Sequence, residues 1–190
     1  MSILTASQAE EEAVRTAAGL ILAAVTTSPK TRGVSSISAV LLQGEEKERL
    51  AQSMEEHGPQ KKFAGEIFAR DAGNIRRSAG VILIGVKGSM PKKPEKPFNC
   101  GACGHPGCAQ FIRAEKKPAE DFVGPLCAFQ LVDLGIALGV AAKMAAEFNI
   151  DNRLMYTAGA AAMKLGLMDA DMIIALPLSI SVKNIFFDRG

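Results

Sequence analysis

The stretch Ala128-Phe129-Gln130-Leu131-Val132-Asp133-Leu134-Gly135-Ile136-Ala137-Leu138-Gly139-Val140-Ala141-Ala142-Lys143-Met144-Ala145-Ala146-Glu147-Phe148 is the longest apolar run in the chain. Its length allows either a membrane span or a central core helix, and the choice decides the fold. Gln130, Asp133, Lys143 and Glu147 interrupt it, so it reads as a buried helix and not a membrane span. It is apolar on nearly every side, as expected of a helix central to its domain or shared with a second subunit. Gly135 and Gly139 lie four residues apart and permit close helix–helix approach; the membrane-dimer meaning of that spacing does not transfer to a soluble core.

The chain of 190 residues can build one sizeable core and is read as a single domain over 1–190. A hydrophobic share of 48% and a net charge of +2 describe an ordinary globular protein and give no support to nucleic-acid binding. With no Trp, one Tyr and nine Phe, the core must rest on Ala, Leu, Ile, Val and Met. Met1 to Thr16 carries Glu10, Glu11 and Glu12 and lacks a basic region followed by an apolar one, so it is not read as a signal peptide. The expected location is cytoplasmic, where thiols stay reduced and cysteine clusters usually bind metal.

Outward from the long helix the chain divides into helices and a few strands. Ser7 and Glu10 form a capping-box pattern, and Ala13, Ala17, Ile21 and Ala24 then recur at helical spacing up to Ser28-Pro29. After the basic turn Lys30-Thr31-Arg32-Gly33 come a strand over Ser38 to Leu42 and a helix over Glu45 to Glu56 closed by Gly58. Phe63, Ile67 and Ile75 predict another helix to about Ser78. Val81-Ile82-Leu83-Ile84-Gly85-Val86 reads as a buried strand. Lys87 to Phe98, with Pro91, Pro94 and Pro97, reads as a linker. Ala109 to Glu115 predicts one or two helical turns stopped by Lys116-Lys117-Pro118. Asp151 is expected to cap a helix through Leu165, ended by Gly166, and Met172 to Leu176 forms a third buried strand halted by Pro177. The result is an α+β (α/β-like) domain, rich in helix, with a small sheet.

All four cysteines fall in a segment at 98–127, at Cys100, Cys103, Cys108 and Cys127, with the spacing C-x2-C-x4-C-x18-C. Four thiolates on a glycine-rich loop and one return of the chain can hold a 4Fe–4S cluster or a tetrahedral zinc ion. Gly101, Gly104 and Gly107 allow tight bends and close backbone approach to such a group. Structural zinc sites favour two C-x2-C pairs, and only the first pair here has that spacing, which favours the cluster. His105 is read as a loop residue, since four cysteines already complete a ligand set. With every cysteine in one constellation, thiol nucleophile catalysis is not expected.

The run Cys-Gly-Ala-Cys-Gly-His-Pro-Gly-Cys from Cys100 to Cys108, with a fourth cysteine at Cys127, resembles the small 4Fe–4S domain of Rnf-complex electron-transfer subunits and of corrinoid iron–sulfur proteins. The whole chain, including Ala175-Leu176-Pro177-Leu178-Ser179 and Lys183-Asn184-Ile185-Phe186-Phe187-Asp188-Arg189, is similar to a family of prokaryotic ferredoxin-domain-containing proteins. That likeness implies the cluster and supplies no reaction. The order of helix, proline-bearing turn, strand and charged helix over Leu20 to Glu56, with the long apolar helix and the late strand, also resembles the nitroreductase-like flavoprotein fold. This implies a three-layer scaffold, an intertwined homodimer built on the long helix, and FMN at the subunit interface. The chain lacks the arginine-rich segment before the first helix that grips the FMN phosphate in that fold, and Lys30, Arg32, Lys183 and Arg189 are the cations available to replace it.

Together these readings give a 4Fe–4S redox protein serving electron transfer, with a flavin-linked oxidoreductase as its extension. The rival is a zinc-stapled, non-catalytic module for dimerisation or partner binding. Lys87, Lys92, Lys93, Lys96, Arg113, Lys116 and Lys117 flank the cysteine loop and either attract an acidic redox partner or form a solvated linker. His57 reads as a surface residue at a helix end. No Ser-His-Asp arrangement, P-loop or G-x-G-x-x-G after a strand is found.

Overall fold

The computed structural model describes residues 3–61 and 65–187, with only the backbone for Ser7 and Glu11. Phe63 and Arg189 lie outside the described residues. The elements run α1 (Ala6–Thr27), β1 (Ile37–Leu42), α2 (Gly44–His57), α3 (Gly65–Arg77), β2 (Gly80–Val86), α4 (Cys108–Arg113), β3 (Lys117–Pro118), β4 (Val123–Gly124), α5 (Ala128–Glu147), β5 (Asp151–Asn152), α6 (Tyr156–Lys164) and β6 (Met172–Ser179). The main sheet has the order β1-β2-β6-β5 and is antiparallel throughout.

Burial on both faces explains why β2 reads as an unbroken apolar run. Val81 and Leu83 point into a core with Leu50, Met54, Phe68 and Ile75 from α2 and α3 and the small side chains of α6. Ile82, Ile84 and Val86 point the other way, into a core with Ile21 and Val25 of α1 and Leu134, Leu138 and Ala141 of α5. β6 divides in the same manner, with Ile173 and Ala175 on the first side and Leu176 and Leu178 on the second. The fold is therefore the three-layer α+β arrangement anticipated from the sequence: α2, α3 and α6, then the sheet, then α1 and α5. Although α5 is long and apolar enough to cross a membrane, one of its faces is committed to this core.

Three local expectations are corrected. The capping box of α1 is made by Thr5 and Gln8, not Ser7 and Glu10. The Gln8 N–H donates to Thr5 Oγ1 and the Thr5 N–H donates to Gln8 Oε1 at 3.0 Å, while Ser7 lies inside the helix. Asp151 does not cap α6. It sits in β5, accepting from Asn184 Nδ2 at 2.8 Å, and the helix starts only after Met155 has exchanged both backbone hydrogen bonds with Ala175. Pro177 does not end β6. The N–H of Ala175 points to Met155 and away from β2, and residue 177 shares that direction by alternation, so proline removes no bond of the β2–β6 ladder. Gly166, at φ 63°, closes α6 as expected, with Leu167 N–H donating to Ala162 O at 3.1 Å.

α6 lies unusually close to the sheet because it presents Ala158, Gly159, Ala161 and Ala162. A Cβ on Gly159 would stand 2.0 Å from the Ile173 carbonyl oxygen, which is backbone and cannot yield without moving β6. Gly159→Ala should therefore lower the unfolding free energy by about 3 kcal/mol in a urea titration. Gly73→Ala, in the middle of α3 with open space at its Cβ, should instead stabilise by up to about 1 kcal/mol.

Candidate functional site

The chain leaves the sheet after β2 and returns at α5, and the two ends of this excursion meet. Cys127 N–H donates to Gly88 O at 2.9 Å, forming a neck. Asp171 braces it: its carboxylate accepts from Ser89 N–H at 2.8 Å and its carbonyl from Val123 N–H at 2.9 Å. Every cysteine lies on this segment, Cys127 at the N-cap of α5 and Cys108 at the start of α4.

Inside the neck a polar network joins the segment to α5. Lys92, expected in a solvated linker, is buried. Its ammonium lies 2.8 Å from Asp133 Oδ2, the two side chains being 2% and 0% exposed, although the contact is off the line of a good hydrogen bond. Lys92 also donates to Val34 O and to Ser36 Oγ. Asp133 Oδ1 accepts from the Thr31 N–H at 2.9 Å and the Thr31 hydroxyl at 2.8 Å. Gln130, one turn earlier on α5, accepts from Ser36 and donates to Met90 O. Burial alone would raise the Asp133 carboxyl, but Lys92 and Thr31 outweigh it and hold the group below the usual carboxylate range.

The cysteine loop begins at a second contact with α5. Arg32, in the left-handed region at φ 58°, donates to Lys96 O and lies 4.9 Å from the Phe98 ring centroid, and Phe98 packs against Phe129 at 5.3 Å. Cys100 and Cys127 thus each stand two residues from a member of one aromatic pair. Asn99 Oδ1 accepts from Cys108 N–H at 2.9 Å, closing the loop across its base, and Gly101 and Gly104 bend it at φ 73° and 83°. Cys100 is exposed and the other three cysteines are half-buried; all four are free thiols. His105 packs its ring edge against Phe111.

In kind and number the donors suit a thiolate-held metal group. Among the described residues, however, no three His, Cys, Asp or Glu side chains are gathered closely enough to hold a metal ion. Three of the cations singled out for a phosphate lie among the described residues. Lys30 Nζ is taken up by Val25 O, Thr26 O and Ser28 at the end of α1, and burial lowers its pKa. Arg32 is engaged with the cysteine segment. Lys183 is exposed beyond β6, near Asn184 and Asp151, at the far end of α5. The ring of loop cations is smaller than expected: Lys92 is buried, Lys116 caps α4 through Ala114 O and lies over Phe111, and Lys87 and Lys117 pair with Asp169 and Glu115. Lys93, Lys96 and Arg113 remain exposed.

A second charged cluster was missed from sequence. Asp121, at the tip of the β3–β4 hairpin, accepts from Lys61 and the Tyr156 hydroxyl and lies 3.2 Å from His57 Nε2. His57 is buried, edge-on to Phe68, which corrects its reading as a surface residue. Burial would raise the Asp121 carboxyl, but Lys61, Tyr156 and His57 keep it below its usual range; burial and Asp121 push the Tyr156 phenol up. The sequence signal was slight: a histidine three residues after an apolar helix face, with its partner 64 residues away.

In the arrangement of layers and strands the chain has a nitroreductase-like fold. It is similar to the NADPH:FMN oxidoreductase from Vibrio harveyi complexed with NAD+, with a TM-score of 0.53 at 15% identity over 89% of this chain, and it spans 60% of that protein's length. It is also similar to the FMN and NADPH-dependent nitroreductase NfnB from Sphigopyxis sp. strain HMH, with a TM-score of 0.55 at 12% identity, covering 88% of this chain and 79% of that one. A family described as an uncharacterized protein containing a ferredoxin domain (DUF2148) matches residues 123–189, which include Cys127. An uncharacterized protein of Archaeoglobus fulgidus is 42% identical over 188 residues, 99% of this chain and 98% of its own length. The chain belongs to this family of ferredoxin-domain proteins.

Removing one partner of the Lys92–Asp133 pair strands the other away from water. Asp133→Ala should lower stability by about 3–5 kcal/mol at neutral pH, and adding Lys92→Met should recover most of it, as read by denaturant unfolding. Because the folded Asp133 carboxyl is depressed, its contribution is present above the unfolded value of about 3.9 and is lost as pH falls through the folded one. The gap between Asp133→Ala and the parent protein should therefore narrow in acid.

Proposed function

We propose that this protein carries single electrons through a 4Fe–4S cluster held by Cys100, Cys103, Cys108 and Cys127. The supporting observation is that all four cysteines, none in a disulfide, occur on one segment joined at its neck, in a chain of the ferredoxin-domain family. When bound, such a cluster supplies one-electron transfer, tuned by hydrogen bonds to its sulfurs and by exposure. The residues of the chain contribute the rest: Asn99 closes the loop, Gly101 and Gly104 bend it, and Lys92 and Asp133 fix the segment to α5. Lys93, Lys96 and Arg113 are the exposed cations for an acidic redox partner. A reducing, cytoplasmic setting suits four unpaired thiols. No flavin step is assigned.

We also propose a homodimer through α5. Leu131, Val132 and Ile136 are exposed beside an apolar groove of about 430 Å³ that Leu154, Tyr156 and Met172 help to line. A Cβ on Gly135 or Gly139 would meet nothing, so the notch that these glycines make is unused within one chain. Val132→Asp should convert a dimer to a monomer in sedimentation without loss of helical content.

The deciding measurement is iron, sulfide and zinc content of anaerobically purified protein, with the visible spectrum before and after dithionite. The expected result is iron and sulfide with a broad absorption that bleaches, lost in Cys127→Ser. Unchanged iron content and spectrum in Cys127→Ser would discard the ligand set, and a colourless protein replete in zinc would replace electron transfer by a structural staple.

A further inference from the structure

The hairpin that follows α4 carries at its tip a carboxylate that is taken into a socket formed by residues at the end of α2, the turn after it and the start of α6. Ala119 N–H donates to Phe122 O at 2.8 Å, closing the turn between β3 and β4, and Asp121 projects from it. Three separate parts of the helical layer receive it: His57 at the end of α2, Lys61 beyond the following turn, and Tyr156 at the start of α6. The socket is itself braced. Lys164 of α6 reaches His57 Nδ1 at 3.3 Å and Gln60 Oε1 at 3.4 Å, and the rings of Phe68 and Phe122 stand edge-on to Tyr156. Glu120, beside Asp121 on the hairpin, adds a more exposed contact to Lys61 at 3.1 Å. The side chains of Lys61, His57 and Asp121 are 6%, 8% and 12% exposed, whereas Tyr156 is 46% exposed, so the contact is shielded from water on its Lys61 and His57 side and open on its Tyr156 side.

The cysteine segment is therefore fastened twice by charge: at its start by the buried pair of Lys92 and Asp133, and near its end by the part-buried Asp121 in this socket. Between the two, Cys100 is exposed and the loop is held by Asn99 and by the short helix α4. Lys116, immediately before β3, ties that helix to the hairpin: it donates to Phe111 O and Ala114 O at the helix end and lies 4.1 Å from the Phe111 ring centroid. Asp121 is thereby connected through β3 and Lys116 to α4, whose first residue is Cys108.

We propose that Asp121 is a positioning residue for the cysteine loop: its carboxylate, seated among His57, Lys61 and Tyr156, sets where α4 and Cys108 stand whether or not a metal group is bound. The inference rests on the reading that the cysteine segment holds a metal centre, and it deepens that reading. Asp121→Asn keeps the shape and the acceptor for Tyr156 but removes the charge that Lys61 meets, a charge-assisted bond strong enough to change local opening about tenfold.

The test uses the full chain in metal-free and zinc-loaded forms, with the variants Asp121→Asn, Asp121→Glu and Tyr156→Phe. Three rates are read: amide hydrogen exchange across 108–124, alkylation of each cysteine in the metal-free protein, and zinc release to a chelator. In Asp121→Asn, exchange in 108–124 and alkylation of Cys108 should rise about tenfold and zinc should leave faster, while amides of β2 and α6 keep their protection. Asp121→Glu should recover part of the effect, which loss of fold alone would not allow. Should Asp121→Asn fail to fold, Tyr156→Phe reads the same rates with a smaller rise. Unchanged exchange and alkylation in a folded variant that has lost the charge would overturn the proposal and leave Asp121 a stabiliser of the helical layer. If the parent protein takes up neither zinc nor iron, the metal reading fails, yet exchange and alkylation still decide the role of Asp121.

Discussion

The ammonium of Lys92 and the carboxylate of Asp133 meet where almost no water reaches them, and the geometry around the neck depends on that meeting. Isolated, either charge would be too costly to bury; together they are tolerated, with Thr31 donating twice to Asp133 Oδ1 and Val34 and Ser36 accepting from Lys92, while Asp133 Oδ2 has the ionic contact with Lys92 alone. Such a pair adds little net stability compared with well-packed apolar groups. What it supplies is direction: Asp133 accepts Lys92 and Thr31 in one arrangement, and this sets the rotation of α5, the path of the 29–36 loop and the exit of the cysteine segment together. Gln130, one turn away and also buried, repeats the same pattern with Ser36 and Met90.

The rest of the core is built from plainer material. With few aromatics, packing relies on aliphatic side chains on both faces of β2 and β6 and on the small residues of α6, which let that helix approach the sheet backbone. Small residues give little apolar area each, so the approach must be close for burial to be complete. The exposed side of α5 is the counterpart: a helix greasy all round, of which only one face is used within the chain.

Patterns that act over short range were readable in the sequence. The run Val81 to Val86 announced a strand covered on both faces, Gly166 announced the end of a helix, and the interrupted apolar run announced α5. The cysteine spacing marked the segment that carries the candidate site. Features that depend on a distant partner were not readable. Lys92 stands among prolines and other lysines and looks solvated until Asp133 is brought beside it; His57 looks like a helix-end surface residue until Asp121 arrives from a hairpin. Thr5 and Ser7 both satisfy the first half of a capping signature, and the backbone angle at Thr5, φ −80° and ψ 158°, settles which one acts. Pro177 and Asp151 misled because proline and aspartate were read as stop and start signals, whereas Pro177 occupies a strand position whose missing N–H faces away from β2 and Asp151 pairs along a strand edge.

The neck between Gly88 and Cys127 has a bearing on how such a chain can change over time. A loop whose ends are already joined can grow or shrink at small entropic cost, about 0.6 kcal/mol for each doubling of its length, so the sheet and helices place little restraint on what is carried there. The restraint comes from the charges left in the body of the protein. Trimming the excursion away would strand Asp133 in the core without its lysine and leave Lys61 in a pocket without its carboxylate. A descendant that discards the cysteines must either retain the two arms that carry Lys92 and Asp121 or neutralise their partners at the same time, so the ion pairs act as a ratchet that makes the segment easier to remodel than to lose.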